Sequence, residues 1–286
     1  MSTLVSVWGA VRDRLRAAGV DSPVLDARML LEAGAGVVRM DILTDPHRVL
    51  SEAQLAGIEV LVVRREAREP MSYIVGRKAF WNIELSVTPA VLTPRPETEL
   101  LVEVGLENLP FADSTRVLDL GVGSGAILCA ILGGRPLARG VGVDASADAL
   151  AVARQNIEAL GLADRVDLVH GDWASATDGS FNLIVSNPPY IRSGTIDHLA
   201  PEVARYEPRL ALDGGPDGLG AYRAIMPLLD GLLTEDGVFA LEIGEGQAEA
   251  VWAFADQAGL APIGVRKDLQ GRSRVVWGRR RHPAGS

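Results

Sequence analysis

The sequence predicts an α/β protein in which a seven-stranded sheet carries helices on its faces, behind a small all-helical N-terminal domain joined by a β-hairpin linker. Three observations carry this. From Thr115 onward, short apolar runs alternate with helical patterns, the mark of parallel strands joined by crossover helices. A glycine turn, Gly121-Val122-Gly123-Ser124-Gly125, separates the first of those runs from the first of those helices. Residues 1 to about 75 show helical spacing and helix caps but no strand alternation. The expected division is 1–75 helical, 76–92 hairpin linker and 93–286 α/β domain. A chain of 286 residues, 48% hydrophobic and 23% charged, has ample core for that plan.

In chain order, Leu4, Val7, Trp8, Val11 and Leu15 share one helix face, with Ser2 or Thr3 to cap it and Gly19 to end it. Asp21 and Ser22 before Pro23 start a second helix through Ala33. A short helical piece is placed near 38–43, and Ser51-Glu52-Ala53-Gln54 opens a capped helix to about Arg68. Residues 79–87 alternate and read as the hairpin. The prolines of Thr93-Pro94-Arg95-Pro96 hold Arg95 in a rigid path, as a site residue or as half of a domain-bridging salt bridge, before a helix from Glu97 to Leu106. Strands follow at 117–120, 141–144, 166–169, 182–185 and 238–243. Helices lie at 126–132, 147–160, 221–233 and 247–258. Residues 263–267 and 274–277 form a terminal hairpin that brings the strand count to seven, and 279–286 read as a basic tail. This is a Rossmann-like arrangement.

The formal net charge of −9 argues against broad electrostatic capture of nucleic acid backbones and leaves room for a local basic patch. The single Cys129 rules out an internal disulfide and a cysteine-based zinc site, and its apolar setting makes it a buried structural thiol. The four histidines show no metal-ligand spacing, so no metal is expected. With no signal peptide and no window of transmembrane length, the chain is expected to be a cytoplasmic protein that avoids membranes.

The chemistry gathers at strand ends. The apolar run 183–185 stops at Asn187-Pro188-Pro189-Tyr190, because two successive prolines cannot donate to a ladder. The resulting turn can offer the Asn187 side-chain oxygen and backbone carbonyls as fixed acceptors to a planar NH2 group, with Tyr190 to stack on it. Gly121 to Gly125 lets backbone approach a ligand at a helix N-terminus. The loop lacks the spacing of a nicotinamide site and the Lys-Ser/Thr of a phosphate loop. Asp144, ending the second strand, suits both ribose hydroxyls of a nucleoside. Gly171-Asp172-Trp173 adds an acid and a flat ring where an adenine would lie. Acidic surroundings disfavour a pyrophosphate and suit a cationic sulfonium. His170, ending the third strand, reads as structural.

With these residues in view, the chain resembles the class I S-adenosylmethionine-dependent methyltransferases, and more narrowly the glutamine methyltransferases of peptide-chain release factors (the PrmC/HemK family). The resemblance runs nearly end to end, through Thr93 to Glu99, Asp119-Leu120-Gly121, Asp144, Gly171-Asp172-Trp173, Asn187 to Ile191, Ala211 to Gly218 and Leu241-Glu242-Ile243-Gly244. It implies S-adenosyl-L-methionine as cofactor and S-adenosyl-L-homocysteine as product. Gly121, Val122, Gly123, Ser124 and Gly125 would lie against the methionine part, Asp144 at the ribose and Trp173 at the adenine. Asn187 would touch cofactor and substrate, and Pro188, Pro189 and Tyr190 would frame the substrate amide. Val122 departs from the family, which commonly has a hydroxyl residue there. The implied partner is a class 1 release factor, methylated on the glutamine of its Gly-Gly-Gln loop in translation termination by a monomeric enzyme. A methyltransferase of adenine amines shares the Asn-Pro-Pro-Tyr turn but should carry a basic target-recognition region. A glutamine methyltransferase of a ribosomal protein stays open as the near alternative. A cofactor-binding scaffold without turnover would have no need of an amide-orienting turn.

Overall fold

A computed structural model describes residues 2–175 and 179–281. The chain divides into two compact units, Met1–Gly76 with Ala200–Tyr206, and Arg77–Leu199 with Glu207–Ser286.

The helical unit is built from α1 (Leu4–Ala17), α2 (Pro23–Ala35), α3 (Arg39–Thr44), α4 (Glu52–Glu66) and α5 (Met71–Val75). The capping box at Ser51 forms as its sequence predicts: Ser51 Oγ accepts from the Gln54 N–H, and Gln54 Oε1 accepts from the Ser51 N–H. Leu4, Val11 and Leu15 of α1 join Leu30, Leu31, Ile58 and Val62 in one buried cluster. The backbones of α2 and α4 touch at Gly34 and Gly57, where a Cβ added to Gly57 would stand 2.4 Å from the Gly34 carbonyl oxygen.

One more helix of this unit comes from far along the chain, in a region without a periodic signal. This is α9 (Pro201–Tyr206), and charge holds it. Glu202 accepts from Arg65 at 2.9 Å and from Arg68 at 2.7 Å, while Arg65, 6% exposed, also pairs with the buried Asp26 at 2.7 Å. The Tyr206 hydroxyl donates to the Ala67 carbonyl at 2.8 Å.

The α/β unit opens with the hairpin β1 (Arg77–Phe80) and β2 (Ile83–Ser86). A 3-10 turn at Pro96–Thr98 then leads into α6 (Glu99–Asn108). Next come β3 (Arg116–Leu120), α7 (Ala126–Gly133), β4 (Arg139–Asp144), α8 (Ala147–Ala159), β5 (Val166–His170) and β6 (Phe181–Ser186). After the 200s come α10 (Gly220–Leu232), β7 (Leu233–Glu242), α11 (Ala248–Gln257), β8 (Leu260–Lys267) and β9 (Ser273–Arg280). The seven strands order as β5-β4-β3-β6-β7-β9-β8. The first five are parallel, and β9 runs antiparallel to both β7 and β8. The expected terminal hairpin is therefore present, with its second strand inserted beside β7. Arg279 and Arg280, read as tail, belong to β9; residues 282–286 lie outside the described part of the chain.

One apolar layer centres on α7, whose residues 126–132 are all buried, and the other on Tyr222, Ile225 and Leu229 of α10. Cys129 sits in the first layer, where burial, and then the nearby Asp119, push its thiol up to about 12. It is an inert core side chain, as its apolar setting implies.

The contact between α2 and α4 makes a stability prediction. Gly57→Ala gains helix propensity but drives a methyl into a carbonyl, and should destabilise by about 1–3 kcal/mol, the usual cost of overpacking. Gly9→Ala in α1, with nothing within 4 Å of the added carbon, should stabilise by roughly 0.5–1 kcal/mol. Denaturant unfolding of the two variants checks this, and shifts of the same sign would rule out the close approach as the cause.

Candidate active site

At the carboxyl edge of the sheet a cavity of about 460 Å³ opens between β3 and β6, within the usual size range of small-molecule sites. Gly121 to Ser124 of the glycine loop, Asp144, Trp173 and Asn187 all line it, together with the linker at Ala90–Leu92, Pro208, Leu210, Ala211 and Asp213 to Gly215, while Gly125 is not part of the lining. Four separately read strand ends thus meet at one place.

The glycine loop needs its glycines, since Gly121, Gly123 and Gly125 all have positive φ. At Gly121 the Trp173 ring lies 3.4 Å from where a Cβ would be, so the indole rests directly on the loop. Asp144 closes the loop from the other side: Oδ2 accepts from the Gly123 N–H at 2.8 Å and Oδ1 from the Ser146 N–H at 2.9 Å. Each oxygen keeps a lone pair for a further donor. Val122 is buried in the core, its Cγ2 standing 2.8 Å from where a Cβ on Gly142 would be. The departure at this position therefore supplies packing, while the backbone of the loop remains at the cavity. Asn156 of α8, unnoticed in the sequence, braces the loop by donating to the carbonyls of Ser124 at 2.9 Å and Ser86 at 3.0 Å.

Asn187 lies at the end of β6 with Nδ2 donating to Thr98 Oγ1 at 3.2 Å. Neither Asn187 Oδ1 nor the Pro188 carbonyl has a donor among the described residues. Pro189 lines the cavity, and Pro188 is buried beneath it. Tyr190 is placed differently from its sequence reading. Its ring packs against Gly244, 3.1 Å from where a Cβ would be, its hydroxyl donates to Glu242 at 3.2 Å, and it does not line the cavity. The sequence could not show this, because the seat for the ring is built by residues more than fifty positions away. The segment 211–218 clamps the turn from outside. The Gly214 N–H donates to the Ile191 carbonyl at 2.8 Å, and Gln247 Nε2 donates to the carbonyls of Tyr190 and Gly218. Any side chain on Gly214 would strike the Pro189 carbonyl, 2.8 Å from its Cβ position.

Arg95 pairs with the buried Glu207 at 2.5 Å, and both belong to the α/β unit, so this salt bridge does not join the two units. Burial raises the Glu207 carboxyl and Arg95 pulls it back. His170 is exposed, with Nε2 3.1 Å from the Ala145 carbonyl. Among the described residues no cluster of His, Cys, Asp or Glu is arranged to hold a metal ion, and no helix is long and apolar enough to cross a membrane.

The sheet order and the loop-and-turn crevice define a class I methyltransferase fold. A methyltransferase from Pyrococcus furiosus superimposes with a TM-score of 0.52 over 77% of this chain and 96% of its own, at 15% identity. A ribosomal protein L11 methylase from Lactobacillus delbrueckii does so at 0.50 over 68% and 84%, at 21% identity. Residues 7–76 match the PrmC N-terminal domain and 97–205 the methyltransferase small domain. A release factor glutamine methyltransferase of Caulobacter vibrioides is 52% identical over 96% of both chains, and one of Rhodospirillum rubrum is 46% identical over 94% of this chain and 82% of its own. The chain belongs to the release factor glutamine methyltransferase family.

Asp119, at the heart of β3, is wholly buried and neither of its carboxyl oxygens has a hydrogen-bond partner. Burial, and then the charge of Asp144, push its carboxyl well above the usual range. On this basis the native state is expected to keep a proton that the unfolded chain releases near pH 4. The stabilising contribution is full below that pH and falls by up to about 1.4 kcal/mol per pH unit as pH rises toward the native pKa. Asp119→Asn removes this slope, so the variant should gain stability relative to the parent as pH rises from 4 to 7. Urea unfolding across that range tests it, and parallel stability curves would show that Asp119 is ionised in the native protein.

Proposed function

We propose that this chain transfers a methyl group from S-adenosyl-L-methionine to the side-chain amide nitrogen of the glutamine in the Gly-Gly-Gln loop of class 1 release factors. The observation that carries this is a pair of uncommitted acceptors at one turn, Asn187 Oδ1 on a residue that lines the cavity and the carbonyl of the neighbouring, buried Pro188, beside a cavity with the shape and charge for a nucleoside sulfonium. The cavity offers a glycine cradle, an indole against it and one carboxylate with spare lone pairs, which fits a ribose and a flat base. When bound, the cofactor supplies an electrophilic methyl group.

The chain's own work is positioning. An amide nitrogen gives its lone pair to its carbonyl and attacks poorly. A glutamine amide has two N–H donors in one plane, matching the two acceptors at Asn187 and Pro188. Accepting both hydrogen bonds returns electron density to nitrogen and fixes its approach, and orientation of this kind supplies on the order of 7–11 kcal/mol. Pro189 bounds the substrate side, and Tyr190 holds the turn rigid from behind. A narrow site of this form suits a side chain flanked by glycines. The helical unit is assigned to gripping the protein substrate. It carries none of the candidate chemistry, and Val38, Met40 and Leu43 at α3 expose apolar side chains.

Two experiments test this reading. Asp144→Ala should fold and should weaken cofactor binding by about 1.5–3 kcal/mol, as expected for hydrogen bonds to a charged group. Calorimetry showing unchanged affinity would remove Asp144 from the ribose. With a release factor and labelled cofactor, peptide mass spectrometry should place the label on the loop glutamine. A Gln→Glu substrate should be refused, because carboxylate oxygens would face acceptors. Asn187→Ala should lose on the order of 100-fold or more in turnover, the scale seen when one transition-state hydrogen bond is deleted, with a smaller loss of cofactor affinity. Label on another residue type, or full activity in Asn187→Ala, would overturn the assignment.

A further inference from the structure

Behind the cavity wall lies a buried carboxyl for which the reaction as described has no use. Glu242 ends β7 and is 1% exposed, with Oε1 accepting from the Tyr190 hydroxyl at 3.2 Å and Oε2 without an aligned partner. Thr98, 4% exposed at the entry to α6, lies beside it and accepts from Asn187.

We propose that Glu242 is a positioning residue for Asn187, acting through the Thr98 hydroxyl to fix which end of the Asn187 carboxamide faces the cavity. The proposal rests on the reading of Asn187 as the acceptor for the substrate amide. A carboxamide is nearly symmetric in shape, and a half-turn exchanges its oxygen for its NH2 group. Only the oxygen-outward state offers an acceptor to the substrate; the flipped state sets donor against donor. The Thr98 hydroxyl has one hydrogen and two lone pairs, so by itself it could bind either end. An ionised carboxylate removes that freedom because it can only accept. Glu242 then takes the hydrogens of both Tyr190 and Thr98, Thr98 has only lone pairs left for Asn187, and Asn187 must answer with Nδ2.

The surroundings place the switch of this relay near neutral pH. Burial pushes the Glu242 carboxyl up to about 7, against the nearby Thr98 hydroxyl, the hydrogen bond from Tyr190 and the charge of Arg274, with Glu97 adding to the rise. Burial raises the Tyr190 and Tyr222 hydroxyls further from neutrality, the latter donating to the Glu242 backbone carbonyl at 2.8 Å. Arg274 is paired with Asp268 at 2.9 Å. Protonated Glu242 carries a hydrogen of its own, which releases that of Thr98 to the Asn187 oxygen. The productive orientation is thus held above the Glu242 pKa and lost below it.

The test uses the full-length protein and three variants, Glu242→Gln, Thr98→Val and Thr98→Ser. The first readout needs no substrate. The side-chain NH2 resonances of Asn187, assigned by their loss in Asn187→Ala, should titrate in the wild type with a midpoint near 7 and stay flat in Glu242→Gln. Flat resonances in the wild type overturn the relay. The second readout is release-factor methylation. Glu242→Gln and Thr98→Val should each lower kcat at least tenfold with KM for the cofactor within twofold, and the double variant should be no worse than either single one. Thr98→Ser should recover most of the rate lost in Thr98→Val. The wild-type rate should climb through pH 7, and that of Glu242→Gln should not. Unchanged kcat in Glu242→Gln sinks the relay while leaving glutamine methylation standing. If the wild type failed to methylate the glutamine, the functional reading would fail, and the Asn187 titration would still decide the relay.

Discussion

The parallel pairing of β3 with β6 is the constraint on which the site depends. Asp119 stands opposite Val185, so the two strands end level with each other. The Ser186 hydroxyl, wholly buried, fastens those ends by donating to the Leu120 carbonyl at 2.5 Å. From β3 the chain crosses to β4 on one side, and it returns to β6 on the other. The flanking helices therefore diverge and leave a crevice at this point of reversal. The glycine loop forms one lip of it and Asn187 the other. A slip of one residue in that pairing would reverse the faces of β6 and bury the Asn187 turn.

The crevice is lined and backed by carboxyls that the fold treats in three ways. Asp144 is kept at the cavity by two backbone N–H groups and retains accepting capacity. Asp119 is buried without a partner, and its proximity to Asp144 works against a second charge. Glu242 lies between these extremes, buried but offered hydroxyl hydrogens. Only Asp144 is thus left at the cavity as a carboxylate with accepting capacity, which suits a ligand that brings donors and disfavours a phosphate set against it.

Local signals made the frame of this site legible in the sequence. Glycines at positive φ, a double proline ending an apolar run and an acid closing the next strand each act through their own neighbours. The strands and most helices followed from periodicity for the same reason, with ends displaced by a few residues. What stayed hidden depends on distant partners. The α9 helix is too short for a periodic signal and is held by arginines about 135 positions earlier in the chain. Asn156 reads as one more polar residue on α8 until its contacts with Ser124 and Ser86 are seen. Tyr190 reads as a stacking ring because nothing in its own segment reveals Gly244 and Glu242 behind it. Thr98 reads as a helix entry, since its bond to Asn187 spans 89 residues.

The placing of these groups bears on how a poor nucleophile can react without a base. On the proposed reading the acceptors are the Asn187 amide oxygen and the Pro188 peptide carbonyl, neither of which can carry off a proton at neutral pH. Asp144 is engaged with the backbone on the loop side, and Glu242 sits behind Thr98 and Tyr190. An amide nitrogen that has gained a methyl group holds its extra proton weakly, so water can remove it after the bond has formed. Catalysis at such a site is then a matter of direction rather than basicity. That places the demand on the orientation of a single carboxamide. It also accounts for the rigidity around it: prolines within the turn, glycines and Gln247 clamping its backbone, and a buried hydroxyl holding its amide end.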